Sequence, residues 1–589
     1  MSRRSSKGGV SRRGLLLAGL STAALAGGAG VFYMTGRWWQ PLTARLIQPA
    51  KAEVVKGVLQ YDFGKVWFGN AVLEPGLPAG TPLTIRLGET LDAGGRINRT
   101  PPGTVRYYEA EITVSGKTLR PALTPADLRG MEGYGQPVMP FRYVEIESGG
   151  QLREPFQVTL EAVVDRSYAR AGSIRFSGEG DVPGQLNRLM ELGLHTMEAT
   201  SFMGIFVDGD RERLPYEADG FINQLGWYTA TADPTVPRRT LEALFTKPTW
   251  PSEWMVHMIF IAWADFRMSG DTKYLAQIID RLQIFSLAQF IDGTGLVTTP
   301  QDPLNADFVK TVGADYLEDI VDWPQGERDG YELVPYNTVV NAFVYAGQVR
   351  LAELYAALGR EEEAEVCRQT AERLRMAITG KLIDPADGLF VDGLGSAHKS
   401  AHATFFPMAF GLTPQENIPQ AVRHIETRIA ANENGFPCSV YAAQYLLDGL
   451  FEAGAGELAL QLMLNPGRRG WMNMLDVHDA TITHEAWDPA FKENIDWNHA
   501  WGAAFLNVLQ RHVLGVRIVQ PGWQEWALSP LLRGGLSIDA TVPTPLGPIH
   551  IKLDGTAQTC SIEAPAAAKF VEQASSMGEW RLDSVTYRG

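Results

Sequence analysis

From Asp181 to Val516 the chain carries helical periodicity almost without a break, and this feature limits the fold more than any other. Runs such as Gln185–Phe202, Pro251–Met268, Tyr336–Leu358 and Arg360–Ile378 place apolar residues three and four apart. With Ala218–Thr231, Thr240–Lys247, Asp271–Ile291, Ala401–Gly411, Gln415–Ala431, Val440–Ala453, Gly456–Leu464 and Asn498–Val513 they make about a dozen helices. Short turns marked by Gly or Asp, such as Ser269-Gly270-Asp271, join many of them in pairs. No fixed-length repeat accompanies the pairs, so the expectation is a closed double ring, an (α/α)6 barrel, over an open stack.

The flanks have the opposite texture. Between Ala52 and about Arg166, short runs with period-two alternation (Val54–Phe63, Leu83–Leu87, Tyr107–Val114, Phe141–Ile146, Phe156–Val164) are broken by Gly, Pro and Asp turns. They predict an N-terminal antiparallel β-sandwich over residues 52–180. After residue 516 the chain returns to strands, with Thr544-Pro545-Leu546-Gly547 as a hairpin turn, predicting a small C-terminal β-sandwich with a tail over 517–589. The fold class is thus multidomain α and β, a barrel over residues 181–516 between two sandwiches.

Residues 1–51 read as export signal and linker. Arg3, Arg4, Lys7, Arg12 and Arg13, with no acid among them, precede an uncharged Gly/Ala/Leu stretch from Gly14 to Gly36. Ser11-Arg12-Arg13-Gly14-Leu15-Leu16 resembles a twin-arginine signal and predicts export to the periplasm. An uncleaved membrane anchor is the alternative, since the stretch is long enough to span a bilayer.

Composition then narrows the function. With 52 Lys+Arg against 67 Asp+Glu and a formal charge of −15, the chain lacks the basic surplus of a nucleic-acid binder. Cys367, Cys438 and Cys560 are scattered and give neither a disulfide framework nor a zinc spacing. His398 and His402 have no acidic third partner nearby, so no metal site is read. P-loop, GxSxG and dinucleotide fingerprints are absent.

Two acidic clusters are the candidate chemistry. In Asp208-Gly209-Asp210-Arg211-Glu212-Arg213-Leu214-Pro215-Tyr216-Glu217-Ala218-Asp219 acids alternate with arginines, a poor helix interior and a suitable polar cup; its plain alternative is a solvated loop with Asp219 as helix N-cap. The second is Thr481 to Asp488, close to Trp497-Asn498-His499-Ala500-Trp501. A carboxylate beside tryptophans suits a sugar site, whose apolar faces stack on aromatics; the alternative is a core Trp487, a capping Asp488 and a satisfied buried His499. Hydrolysis of a glycosidic bond needs two carboxyl groups, and Glu212 and Glu485 would meet only if a closed barrel brought their loops to one rim.

These residues resemble the α-L-rhamnosidases of glycoside hydrolase family 78. Glu212-Arg213-Leu214 with Tyr216 and Asp219 is similar to the family's acidic signature. Thr483-His484-Glu485-Ala486-Trp487-Asp488 is similar to its later Glu motif, and Asn498-His499 to the Asn-His that follows. Pro251-Ser252-Glu253-Trp254, Asp322 to Gly330, Ser396 to Phe406, Phe141-Arg142-Tyr143-Val144 and Thr544 to Pro548 extend the likeness over nearly all of the mature chain.

The resemblance implies an exo-acting, inverting hydrolase without a cofactor that releases terminal α-L-rhamnose from a glycan or glycoside. Glu212 would be the general acid and Glu485 the general base. Asp208, Arg211, Tyr216, Asp219, Trp254, Asp322, Trp323, Trp487 and His499 would bind substrate. Burial and nearby acids such as Asp219 are expected to keep Glu212 protonated. Tyr216 stands where a Trp is usual and Ala218 where a Gly is usual, and the Asp208 to Glu212 spacing is one residue shorter than the common form; these departures bear on the sugar preferred. Trp323, Trp254 or Phe206 could supply an apolar patch for a deoxysugar methyl. The competing readings are a six-hairpin hydrolase for another deoxy- or uronic-acid sugar, and a carbohydrate-binding relative that has lost catalysis.

Overall fold

A computed structural model describes residues 42–122, 138–149, 152–299, 304–531, 535–578 and 580–588. The export-signal reading of residues 1–36 lies outside them. Among the described residues no helix is long and apolar enough to cross a membrane.

The N-terminal domain is a seven-stranded antiparallel sheet. Its strands are β1 (Leu42–Ile47), β2 (Lys51–Val55), β3 (Val58–Glu74), β4 (Pro82–Gly88), β5 (Tyr107–Thr113), β6 (Met139–Glu147) and β7 (Gln157–Asp165), in the order β1-β7-β3-β6-β4-β5 with β2 on β3. The long β3 pairs with β6 through a register shift between Asp62 and Trp67, and its far half pairs with β7. Leu59, Phe68, Leu73, Ile85, Phe141, Val144 and Leu160 fill the core. Two details differ from the expectation. The run Val54–Phe63 is a hairpin, because Lys56 and Gly57 both take positive φ (51° and 82°) and reverse the chain. In addition β1, inside the segment read as linker, pairs with β7.

The helices form two concentric rings. Glu217–Ala230, His257–Ser269, Thr338–Ala357, Ala401–Ala409, Ala443–Glu452 and the segment Phe505–Val513 are the inner ring, each packed on the next and the last on the first. Val182–Ala199, Thr235–Thr246, Thr272–Leu282, Glu361–Lys381, Ile418–Ala431 and Gly456–Met463 alternate with them along the chain as the outer ring. The alternation is written in the residues. Thr338–Ala357 buries nearly its whole circumference, whereas Glu361–Lys381 buries only a stripe of Ala364, Cys367, Thr370, Ala371, Leu374 and Ile378. Asp271, Asn337 and Ser400 accept from backbone N–H groups to start their helices, and Gly270 ends one with φ 66°. The barrel axis is packed with rings: Phe260, Phe343, Phe406, Phe410 and Tyr445 touch one another.

The C-terminal strands are β9 (Val516–Gln520), β10 (Glu525–Leu528), β11 (Ser537–Val542), β12 (Ile549–Asp554), β13 (Thr559–Pro565), β14 (Lys569–Phe570) and β15 (Arg581–Arg588). They form a three-stranded sheet, β14-β10-β9, and most of a five-stranded one, in which β15, β13, β12 and β11 follow one another and a strand from earlier in the chain comes last. The last member, β8 (Ser173–Ser177), comes from before the barrel and pairs with β11, so the rear domain takes a strand from the segment expected to belong to the front one.

Candidate active site

The two acidic clusters meet at the mouth where the inner helices begin. The loop carrying Asp208 is pinched shut by its own residues: Asp208 donates its N–H to the Leu214 carbonyl at 2.9 Å and accepts the Leu214 N–H at 3.0 Å. Gly209 makes the turn at φ 104°. A Cβ there would lie 2.8 Å from the Asp496 carboxylate and 2.9 Å from the Asn498 carbonyl, so only glycine fits. Asp496 joins the two loops. One of its oxygens accepts the N–H groups of Asp210 and Arg211 at 2.8 and 2.9 Å, while its own N–H donates to Glu485 at 3.1 Å. The front domain props the same junction through Glu89, which accepts from the N–H of Arg106 and the amide of Asn498, and through the Arg106–Asp210 ion pair.

On this frame one guanidinium links the two proposed catalytic carboxylates. Arg211 donates to both oxygens of Glu485 at 2.7 and 2.9 Å, and its Nε lies 3.4 Å from Glu212. Lys492 approaches Glu485 at 3.4 Å, and Trp501 Nε1 donates to the Glu485 carbonyl at 3.1 Å. Tyr216 donates its hydroxyl to Glu212 at 2.6 Å and sets its ring edge-on to Trp254. Trp254, Tyr441 and Trp501 continue the aromatic wall, and Trp323 stands partly exposed with the Lys492 ammonium 5.7 Å from its ring centre.

Charge in the cup is governed by burial. Asp208 and Asp219 are raised well above the ordinary carboxylate range, foremost by burial and then by neighbouring acids, Glu212 and Asp219 for the first and Glu485 for the second. His499, 2.7 Å from Asp219, is pushed down to about 3 by burial and is a neutral ring. Acids biased this way toward their neutral form, beside a neutral histidine, present donors as well as acceptors, which suits sugar hydroxyls. The setting expected of Glu212, burial among acids, belongs to Asp208 and Asp219; the Glu212 side chain is 34% exposed and faces the cup.

Asp208, Arg211, Glu212, Tyr216, Asp219, Trp254, Trp323, Glu485 and His499 thus gather at one mouth. Four expectations need correction. Asp322 is fully buried and its oxygens are taken by His402 (2.6 Å), by the N–H and hydroxyl of Ser439 and by the N–H of Trp323 (2.8 Å); it positions Trp323 and offers nothing to a ligand. Trp487 is core, stacked on Phe436 at 4.5 Å and donating to the Cys438 carbonyl at 2.7 Å, and Phe206 packs on Trp227. Asp219 is not an N-cap: it lies inside the first turn of Glu217–Ala230, where the loop delivers it to His499. The residues not foreseen are Lys492, Asp496 and Glu253. Glu253 accepts the N–H groups of Ile320 and Val321, fixing the loop before Trp323, and burial with nearby Asp319 raises it to about 8. Burial, with Asp210 and Glu485 adding to it, raises Asp496 to about 7. Both Lys492 and Asp496 sit in the polar stretch between the second cluster and Asn498, the one signal that could have found them.

A closed ring of six helical hairpins with acids and aromatics at the helix-start mouth defines the six-hairpin glycosidase architecture. The chain belongs to the bacterial α-L-rhamnosidases: their 6-hairpin glycosidase domain matches residues 182–513 and their concanavalin-like domain residues 52–164. Solved structures similar to it include the α-L-rhamnosidase of Dictyoglumus thermophilum (17% identity, TM-score 0.67, covering 87% of this chain and 56% of that one). A GH78 rhamnosidase of Bacillus sp. GL1 has 18% identity and TM-score 0.67, covering 90% and 54%. The Streptomyces avermitilis α-L-rhamnosidase in complex with L-rhamnose has 17% identity and TM-score 0.65, covering 87% and 48%. At these identities the likeness is one of fold, and the chain spans about half the length of these three proteins. No curated protein matches it.

Proposed function

We propose that the protein is an exo-acting, inverting glycoside hydrolase that releases terminal α-L-rhamnose. The observation that carries this is Arg211, whose single guanidinium touches Glu212 and Glu485 in a cup walled by Tyr216, Trp254 and Trp323. Glu485 is the base: Arg211 and the Asp496 N–H hold one of its oxygens, and the other, bonded to Arg211 with Lys492 at the longer distance of 3.4 Å, is the one to take a proton from water. Glu212 is the acid, and a sugar in the cup would cover its exposed face. The water oxygen bonds to C1 as its proton passes to Glu485. The bond from C1 to the leaving oxygen breaks, and that oxygen takes the proton of Glu212. Asp208, Asp219 and His499 hold ring hydroxyls, and the aromatic wall takes the apolar face with its methyl. Export to the periplasm, proposed from the N-terminal charge pattern, fits an enzyme acting on external glycans or glycosides.

Hydrolysis of a panel of nitrophenyl glycosides tests the assignment. Turnover of the α-L-rhamnoside, well above that of the fucoside, glucoside and glucuronide, is the expected result. Activity confined to another sugar would move the protein to a different six-hairpin specificity, and inactivity on every member would favour a binding protein.

A further inference from the structure

The inner helices enclose a second site at their other ends. A cavity of 620 Å³ lies where Glu217–Ala230, His257–Ser269, Ala401–Ala409 and Ala443–Glu452 finish, covered by β9 and by Trp523 and Ser529–Leu531 of the rear domain. Along Glu217–Ala230, Tyr228 on the cavity wall lies about 14 Å from Asp219 in the cup, at about 1.5 Å per residue, and Phe221, the wall residue nearest Asp219, packs on Phe260. The intervening barrel is packed with the rings of Phe260, Phe343 and Phe406. This space is separate from the cup.

Its walls are aromatic: Tyr228, Trp263, Phe410 and Tyr445 line it. Its cations are mostly committed. Arg267 donates to the carbonyls of Ile518 and Val519, and Arg511 is paired with Asp448. Asp448 is in turn filled, since it also accepts from Gln444 and lies 2.9 Å from His512. Arg350 differs. Its guanidinium lies 3.9 Å over the Phe260 ring and 5.0 Å from that of Trp263, and one amino group reaches the Ala346 carbonyl at 3.3 Å. Its Nε is buried without a hydrogen-bond partner, and no carboxylate among the described residues forms an ion pair with it. Burial lowers it to about 10, which leaves it a cation at neutral pH. The carboxylates that act on it, Glu353 and Asp448, do so without an ion pair, since Glu353 accepts from Trp263 and Asp448 from Arg511; a buried guanidinium left in no ion pair is costly, and its planar fork matches a carboxylate. A guanidinium in no ion pair, set between flat apolar walls, suits a negative charge on a flat apolar body.

We propose that this cavity binds a small organic monocarboxylate with an aromatic or similarly flat body, its carboxylate on Arg350 and its body against Trp263 and Phe410. Calorimetric titration of the full protein with phenylacetate, and with neutral 2-phenylethanol as control, tests this. The expected result is one saturable site for phenylacetate, at least tenfold weaker for the alcohol and at least tenfold weaker in Arg350→Met, with partial retention in Arg350→Lys. Arg350→Met removes an unpaired buried charge and is expected to melt no lower than wild type. Ala409→Phe, which fills the cavity wall and leaves the charge in place, is expected to abolish binding independently. Absence of a saturable site, equal affinity in Arg350→Met or Ala409→Phe, or displacement of phenylacetate by rhamnose would overturn the proposal. None of these outcomes depends on the enzyme being a rhamnosidase.

Discussion

Arg211 grips Glu485 through both of its terminal nitrogens, at 2.7 and 2.9 Å, while the Nε of the same side chain faces Glu212 at 3.4 Å. Residues 274 positions apart are thereby locked together. The lock depends on Asp496, which holds the Arg211 backbone and touches Glu485 through its own N–H. Two loops from opposite ends of the barrel sequence are joined because the ring of helices closes.

Replacing Arg211 by Met should lower kcat/KM on nitrophenyl α-L-rhamnoside by about 100-fold, roughly 2.7 kcal/mol of transition-state stabilisation. A loss smaller than threefold would show that the guanidinium does not organise the pair.

Glu212→Gln and Glu485→Gln should each reduce kcat by about 1,000-fold or more, while rhamnose binding measured by calorimetry changes little. Each substitution keeps the shape of the side chain and removes its proton chemistry. Wild-type turnover in either variant contradicts the role given to that residue.

Trp487 separates core from cup. Trp487→Phe removes the bond to the Cys438 carbonyl and part of the stacking on Phe436, and should cost about 1–3 kcal/mol of stability. Thermal melts should report that loss while KM stays within twofold. An unchanged melt with a raised KM would return Trp487 to the sugar site.

Glu253 makes a pH prediction. Its folded value of about 8 lies above its ordinary 4.5, with burial the main cause. The neutral form is thus favoured by folding: its stabilising contribution is full below about pH 4.5 and is lost as pH rises through about 8. Glu253→Gln keeps an acceptor for Val321 without the charge. The melting temperature of the variant should therefore rise relative to wild type between pH 5 and pH 9. Parallel curves would mean that Glu253 is not held neutral.

How much of this was legible in the residues depends on what periodicity can carry. The helical hairpins were, because Thr338–Ala357 and Glu361–Lys381 advertise inner and outer places by their apolar circumference. The hairpin at Lys56-Gly57 was not, since the apolar alternation runs straight through it and only the backbone turns. Strand β8 looks like any front strand, and its pairing with β11 is fixed by the path of the chain around the barrel. In the site, the motifs named Glu212, Asp219, Glu485 and His499, but adjacent residues divide their duties in ways that spacing cannot reveal. Asp322 points into the wall while Trp323 stands at the cup, and Trp487 turns inward from Glu485 onto Phe436. Lys492 and Asp496 carry no motif of their own, because a polar loop of ordinary composition holds them.

The central claim, that Glu212 and Glu485 act as acid and base around a water, is tested most directly by the anomer released first. Proton NMR of the wild-type enzyme hydrolysing an α-L-rhamnoside should show β-L-rhamnose before mutarotation generates the α form. Initial appearance of α-L-rhamnose would contradict the account, because it requires a covalent intermediate in place of direct attack by water.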